Sequence, residues 1–126
     1  TNKGKAIADS VVHLVHRMKA QAWVDYISFG MQYLTRVKEL DPAAKVLYLG
    51  SDKSLEELKA ADIDGIDFHY SLFQKDPELA DKAKSMDLLT NAWTVNKEED
   101  MQSMLKLKLD FITTDEPELL LRLLEK

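Results

Sequence analysis

His13 and His16 stand three residues apart, which puts them on adjacent turns of a helix, where two imidazoles could share one metal ion. No third ligand lies near them in sequence, and helix faces in α/β folds are remote from the strand ends, so a solvated pair is expected. Asp115, Glu116 and Glu118 could offer carboxylates to a metal. Acids at such a position instead complement a helix dipole, and their charge would repel phosphate. His69, beside Tyr70 and Ser71, could serve as acid, base or ligand, and equally as a hydrogen-bonded structural residue. Trp93 either packs in a core or rim or offers a ligand a flat apolar platform. Asn96 reads most simply as a helix cap, with Glu99 completing a capping-box spacing. The four glycines are too scattered for a phosphate-cradling loop, and neither a nucleophile elbow nor a Ser/His/Asp order occurs.

These residues must be held by secondary structure, and the sequence alternates regularly enough to say which kind. A first helix is predicted from about Lys5 to Lys19, with Ile7, Val11, Leu14, Val15 and Met18 at helical spacing. Five short apolar strands follow: WVDYISF at 23–29, KVLYLG at 45–50, GIDFH at 65–69, LLTNAW at 88–93 and DFITTD at 110–115. Each precedes a helical pattern. Met31, Leu34, Val37 and Leu40 mark one helix; Ser54 with Glu57 makes a capping box for the next; Asp76-Pro77 opens another. Asp115 with Glu118 is expected to open the last, with Leu119, Leu120, Leu123 and Leu124 on its inner face.

One core residue per strand, Val24, Val46, Ile66, Leu89 and Ile112, recurs at intervals of 22, 20, 23 and 23 residues. A strand, a three-turn helix and two short loops need about this length, so the expected class is α/β with a parallel sheet. Two architectures fit: an open, doubly wound flavodoxin-like sheet, or part of a (β/α)8 barrel. A helix placed before the first strand favours the barrel, since it looks like the crossover from a preceding strand. In either case ligands meet the carboxyl ends of the strands. The residues there are Ser28 and Phe29, Gly50 to Asp52, His69 and Tyr70, Trp93 to Asn96, and Thr113 to Glu116.

Composition removes several function classes. The chain has 126 residues, 45% hydrophobic and 31% charged, and a net charge of −5, which fits one globular domain or a piece of one. Its lysines are dispersed, so no basic stripe exists for a nucleic-acid backbone. No apolar run approaches a membrane span, and the first residues carry no signal-peptide core. Without cysteine there is no disulfide, thiolate chemistry or Cys-ligated zinc, while cytoplasm and periplasm both stay open.

With the strand ends laid out, the sequence resembles the C-terminal half of a glycerophosphodiester phosphodiesterase barrel. The resemblance runs through AIADSVVHLVHRM, VDYISF, LTRVKELDPAAKVLYL, GIDFHYSL, NAWTVNKEEDM and DFITTDEPELLLRLL; WTVN followed by ITTDEPE is its most specific part. It implies a fold of the last five βα units, strands 4 to 8, of a (β/α)8 barrel preceded by one helix. It also implies an enzyme that hydrolyses glycerophosphodiesters to sn-glycerol 3-phosphate and an alcohol. A divalent metal, magnesium or calcium, held by carboxylates would assist two histidines acting as acid and base. In the family those groups sit on the first strands: a His-Arg-Gly motif, an acidic pair, a His-Asp and a Glu. None occurs here, for His16-Arg17 is followed by Met18. No catalytic or metal-binding residue therefore carries over, only substrate-lining positions: Trp93, Phe29, Ser28 and His69.

The resemblance thus makes residues 1–126 a partial domain without its catalytic half, expected to be inactive and metal-free alone. A five-stranded segment cut from a barrel exposes two strand edges and an apolar interior. It is expected to pair with the N-terminal half or to self-associate. A non-enzymatic flavodoxin-like binding or signalling module is the rival. A receiver would need paired acids after the first strand and an acceptor Asp after the third; here Ser28-Phe29 and the in-strand Asp67 stand instead.

Overall fold

A computed structural model describes residues 2–126 and shows five strands alternating with helices. The elements are α1 (Asn2–Arg17), β1 (Tyr26–Ser28), α2 (Met31–Leu40), β2 (Val46–Tyr48), α3 (Leu55–Ala60), β3 (Gly65–His69), α4 (Tyr70–Lys75), α5 (Glu78–Ser85), β4 (Leu89–Trp93), α6 (Glu98–Lys106), β5 (Phe111–Ile112) and α7 (Pro117–Leu124). The strands follow one another across the sheet as β1-β2-β3-β4-β5. A doubly wound sheet reverses direction part-way, so this unbroken order overturns the flavodoxin alternative. No helix among the described residues is long and apolar enough to cross a membrane. The chain divides into two compact units, Thr1–Gly65 and Ile66–Lys126.

In the first unit, β1 and β2 pair in parallel with Tyr26 opposite Val46 and Ser28 opposite Tyr48. Leu34, Val37, Val46 and Leu58 are buried around them. Helix α1 turns a small face inward, burying Ala8 and Val12, whereas Ile7, Val11, Leu14 and Met18 of the predicted stripe are exposed. The reason is close approach: a Cβ at Gly4 would collide with the Tyr33 ring of α2. Arg36 of α2 also clamps Asp9 through Nε and Nη2 at 2.6 and 3.1 Å, and this hydrogen bonding holds the Asp9 carboxyl below its usual range. Trp23, expected to start a strand, lies in a 3-10 turn and is 87% exposed. The predicted capping box is present: Ser54 Oγ accepts from Glu57 N–H at 3.1 Å, and Glu57 Oε2 accepts from Ser54 N–H at 2.7 Å.

In the second unit, β4 and β5 pair in parallel with Asn91 opposite Phe111. Phe73, Ile66, Met101, Met104, Ala83 and Val95 are buried. Phe68 of β3 meets Phe73 of α4 at 6.4 Å, which identifies the helix-covered face of that strand. Three helix starts differ from expectation. Pro77 is the cap of α5 rather than its first residue, with Asp76 Oδ1 taking the Glu78 N–H. Lys97, not Asn96, precedes α6, and Glu116, not Asp115, precedes α7. Of the expected inner face of α7, Leu119, Leu120 and Leu123 are half-buried, but Leu124 is exposed.

Four helices end on a residue in the left-handed region: Lys19, Asp62, Asp87 and Lys108, at φ 54 to 59°. After three of them a backbone N–H reaches back five residues: Ala20 to Val15, Ile63 to Leu58 and Leu88 to Ala83. This closure is ordinarily glycine's, and a side chain there costs about 1 kcal/mol. Lys108→Gly is therefore expected to raise stability by up to about 1 kcal/mol. Phe73→Ala should lower it by about 3–5 kcal/mol, both read from urea unfolding midpoints.

Candidate functional site

Alternation along β3 and β4 sends Phe68 toward the helices and Asp67 and His69 the other way. On that second face Asn91 Nδ2 donates to Asp67 Oδ1 at 2.7 Å and to Thr113 Oγ1 at 2.8 Å. Asp67 is only 2% exposed, and Asn91 Oδ1 is buried without a partner. Burial pushes the Asp67 carboxyl above its ordinary range, and the bond from Asn91 offsets part of that.

This polar cluster carries two rings at the strand ends. Trp93, the last residue of β4, donates its Nε1–H to the Asp67 carbonyl at 2.8 Å. Its ring meets His69 edge-on, with centroids 5.2 Å apart and planes at 89°. His69, the last residue of β3, stacks on Tyr70 at 4.5 Å and accepts the Ser71 N–H on Nδ1 at 3.2 Å. The same Nδ1 lies 2.8 Å from Ser71 Oγ, and an Nδ1 that accepts the backbone N–H leaves a ring proton on Nε2. The pair makes a half-buried aromatic wall with one directed donor, suited to a polyol or an anionic oxygen.

The other two expected lining residues belong to the first unit. Ser28 ends β1 and its Oγ accepts the Gly30 N–H at 3.0 Å, while Phe29, the next residue, is 63% exposed. Gly50 to Asp52 form a closed loop in which Tyr48 OH donates to Asp52 Oδ1 at 2.6 Å. That bond lowers the Asp52 carboxyl and raises the Tyr48 phenol.

Asn96 bridges two loops instead of capping. Its Nδ2 donates to Asp115 Oδ2 at 2.9 Å, and its Oδ1 accepts from Asp115 N–H and Thr114 Oγ. Asp115 is thereby engaged. His16 is not simply solvated, because its Nε2 lies 2.9 Å from Asp41 Oδ2; His13 is exposed and takes no part. No group of three or more His, Asp or Glu side chains among the described residues is gathered closely enough to hold a metal. Sequence reasoning missed the Asp67, Asn91 and Thr113 cluster. Its signal was a polar residue inside each of two largely apolar strands, Asp67 in β3 and Asn91 in β4, with Thr113 just past β5.

The sequence profile of the Glycerophosphoryl diester phosphodiesterase family matches residues 2–119. The chain belongs to that family. A glycerophosphodiester phosphodiesterase of Caldanaerobacter subterraneus subsp. tengcongensis is 29% identical over 121 residues, covering 95% of this chain and 50% of that one. The crystal structure of a glycerophosphodiester phosphodiesterase from Parabacteroides distasonis is 35% identical and superposes with a TM-score of 0.93, over 98% of this chain and 52% of that one. An Oleispira antarctica phosphodiesterase, solved in complex with the product sn-glycerol-3-phosphate, shares the fold at 21% identity, with a TM-score of 0.82 over 98% of this chain and 51% of that one. The chain thus spans about half the length of the phosphodiesterase relatives it matches. The expected class, a parallel α/β sheet equivalent to part of a phosphodiesterase barrel, is borne out.

The raised Asp67 carboxyl sets a pH dependence. A folded-state pKa above the unfolded value gives stability that is full below the unfolded pKa of about 3.9 and is lost as pH rises through the folded pKa. Asp9, Asp52 and Glu57, with lowered pKa values, act in the opposite sense. The variant is therefore compared with the parent at each pH. Asp67→Asn keeps the acceptor for Asn91 and abolishes the charge, so it should gain on the parent as pH rises above about 4 in urea melts, up to the folded-state pKa. A constant difference across that range would show that Asp67 does not titrate as described.

Proposed function

We propose that the chain supplies the substrate-facing wall of a glycerophosphodiester phosphodiesterase that hydrolyses its substrate to sn-glycerol 3-phosphate and an alcohol. The family match over residues 2–119 carries this reading, and the aromatic wall of Trp93 and His69 at two strand ends supports it. The product named for the Oleispira phosphodiesterase agrees in kind. In this reaction water attacks phosphorus, the P–O bond to the alcohol breaks, and the leaving oxygen takes a proton. Trp93 would pack against the carbon face of the glycerol group, its ring held in place by the Asp67 carbonyl. His69 would donate Nε2–H to a glycerol or phosphate oxygen. Phe29 and Ser28, at the end of β1 in the first unit, keep the lining role that the family resemblance implies.

Residues 1–126 form a partial phosphodiesterase domain in this reading, and its acid, base and metal ligands come from the half that the chain does not span. A bound magnesium or calcium ion would offset charge on the phosphoryl oxygens. This chain's own side chains do not fit such an ion, because no suitable cluster exists among the described residues.

The purified chain should release no glycerol 3-phosphate from glycerophosphodiesters, with or without magnesium or calcium. Adding the part of the Parabacteroides relative that this chain does not match should produce turnover. Trp93→Ala should then lower kcat/KM about tenfold, or ~1.4 kcal/mol of transition-state binding. Turnover by the 126-residue chain alone would sink the proposal.

A further inference from the structure

At the N-terminal ends of β1 and β2, within the first unit, a cavity of about 370 Å³ opens between the last turn of α1 and the close of α2. His16, Gln21, Val24, Tyr26, Asp41 and Ala44 are among its walls. The Asp41 side chain is 15% exposed and is engaged from two sides: Oδ2 lies 2.9 Å from His16 Nε2, and Oδ1 accepts the Ala43 N–H at 3.1 Å. Each carboxylate oxygen keeps a second lone pair, so both can accept again. Tyr26 lines the same cavity, and its hydroxyl is buried without a hydrogen-bond partner. Burial first, and the Asp41 charge second, push that phenol above its ordinary range, so it stays protonated. Asp41 is thus near enough to act on the hydroxyl, yet no bond joins them. A buried hydroxyl left unbonded is costly and calls for a partner.

The charge of the cavity narrows the choice of partner. No lysine or arginine lines it, so beside a neutral His16 ring the Asp41 carboxylate leaves it one net negative charge. Lys38 and Lys45, which flank Asp41 in sequence, both turn to Asp64 instead, at 2.9 and 3.9 Å. An anion would be repelled there, and a neutral hydroxyl would leave the charge uncompensated. We propose that this cavity binds a small primary ammonium compound, whose N–H groups donate to Asp41 and to the Tyr26 oxygen while a short carbon chain lies against Val24 and Ala44. An ammonium has three donors and no acceptor, which matches two carboxylate lone pairs and a phenol oxygen. The hydroxyl is shut off from water, so binding must open the wall, and the His16 side chain, 40% exposed, is placed to yield. This site sits at the opposite end of β1 from Ser28, so it stands or falls independently of the phosphodiesterase reading.

The test is an amide NMR titration of the 126-residue chain with butylammonium chloride at about pH 8, where imidazoles are ordinarily neutral. Butanol and butyrate serve as the neutral and anionic probes of the same length. Signals of Gln21 and Ala43 should shift saturably with the ammonium, at least tenfold more tightly than with butanol, and butyrate should leave them unmoved. Asp41→Asn, which keeps an acceptor for Ala43, should abolish binding, and Tyr26→Phe should weaken it about tenfold. Tyr26→Phe should also leave the unfolding midpoint of the free chain unchanged or higher, since the hydroxyl it removes bonds nothing. If Asp41→Asn fails to fold, the phenylalanine variant decides alone. A lowered midpoint for Tyr26→Phe would show that the hydroxyl already has a partner and would overturn the proposal. So would saturation by none of the probes, butanol or butyrate binding as tightly as the ammonium, or ammonium binding that Tyr26→Phe leaves unchanged.

Discussion

Side chains on a strand can face only two ways, and this alternation governs the second unit. Ile66, Phe68, Thr90 and Ala92 point one way, with Phe68 against Phe73 of α4. Asp67, His69, Asn91 and Trp93 must then share the opposite face. Three cross-strand bonds, from Asn91 to Asp67, from Asn91 to Thr113 and from Trp93 to the Asp67 carbonyl, follow from that single constraint. A one-residue slip in register would exchange the two faces and place the polar set against the helices.

Burying a carboxyl and an amide is costly, and the structure does not recover the cost in full. Asp67 is desolvated, and Asn91 Oδ1 has no partner at all. Natural folds place such penalties most often at sites of function, where a polar network holds a ring or a donor in position. Here the network supports Trp93 from beneath and leaves the indole flanked by His69. Hydrogen bonding from Ser71 to Nδ1 then leaves a ring proton on Nε2. Geometry, rather than charge, is what this wall contributes.

The first unit shows the same economy in helix placement. Gly4, Ala8 and Val12 let α1 approach α2 closely, and the Arg36 clamp on Asp9 holds that approach. The larger apolar residues of α1 are thereby displaced onto the surface and toward the open edge of β1. A helix whose small residues face its own neighbour and whose large ones face outward has two partners to satisfy.

Much of the fold was legible in the sequence because it depends on local periodicity. The interval of about 22 residues between Val24, Val46, Ile66, Leu89 and Ile112 foretold five βα units, and all five strands lie within the segments read for them. The Ser54 capping box was equally plain, since its partners are three residues apart. Asn96 and His16 were misread because their partners, Asp115 and Asp41, lie 19 and 25 residues away. The stripe residues on α1 show a related limit: helical spacing shows that an apolar face exists, while Tyr33 and Arg36 of another helix decide which face is buried. Likewise Asp67, Asn91 and Thr113 are ordinary residues until strand register sets them side by side. Sequence by itself determined element type and order, because hydrogen bonding within a turn or a strand is short-range. Only tertiary structure decided the neighbours, because contacts between distant residues arise from packing and register, which no local pattern encodes.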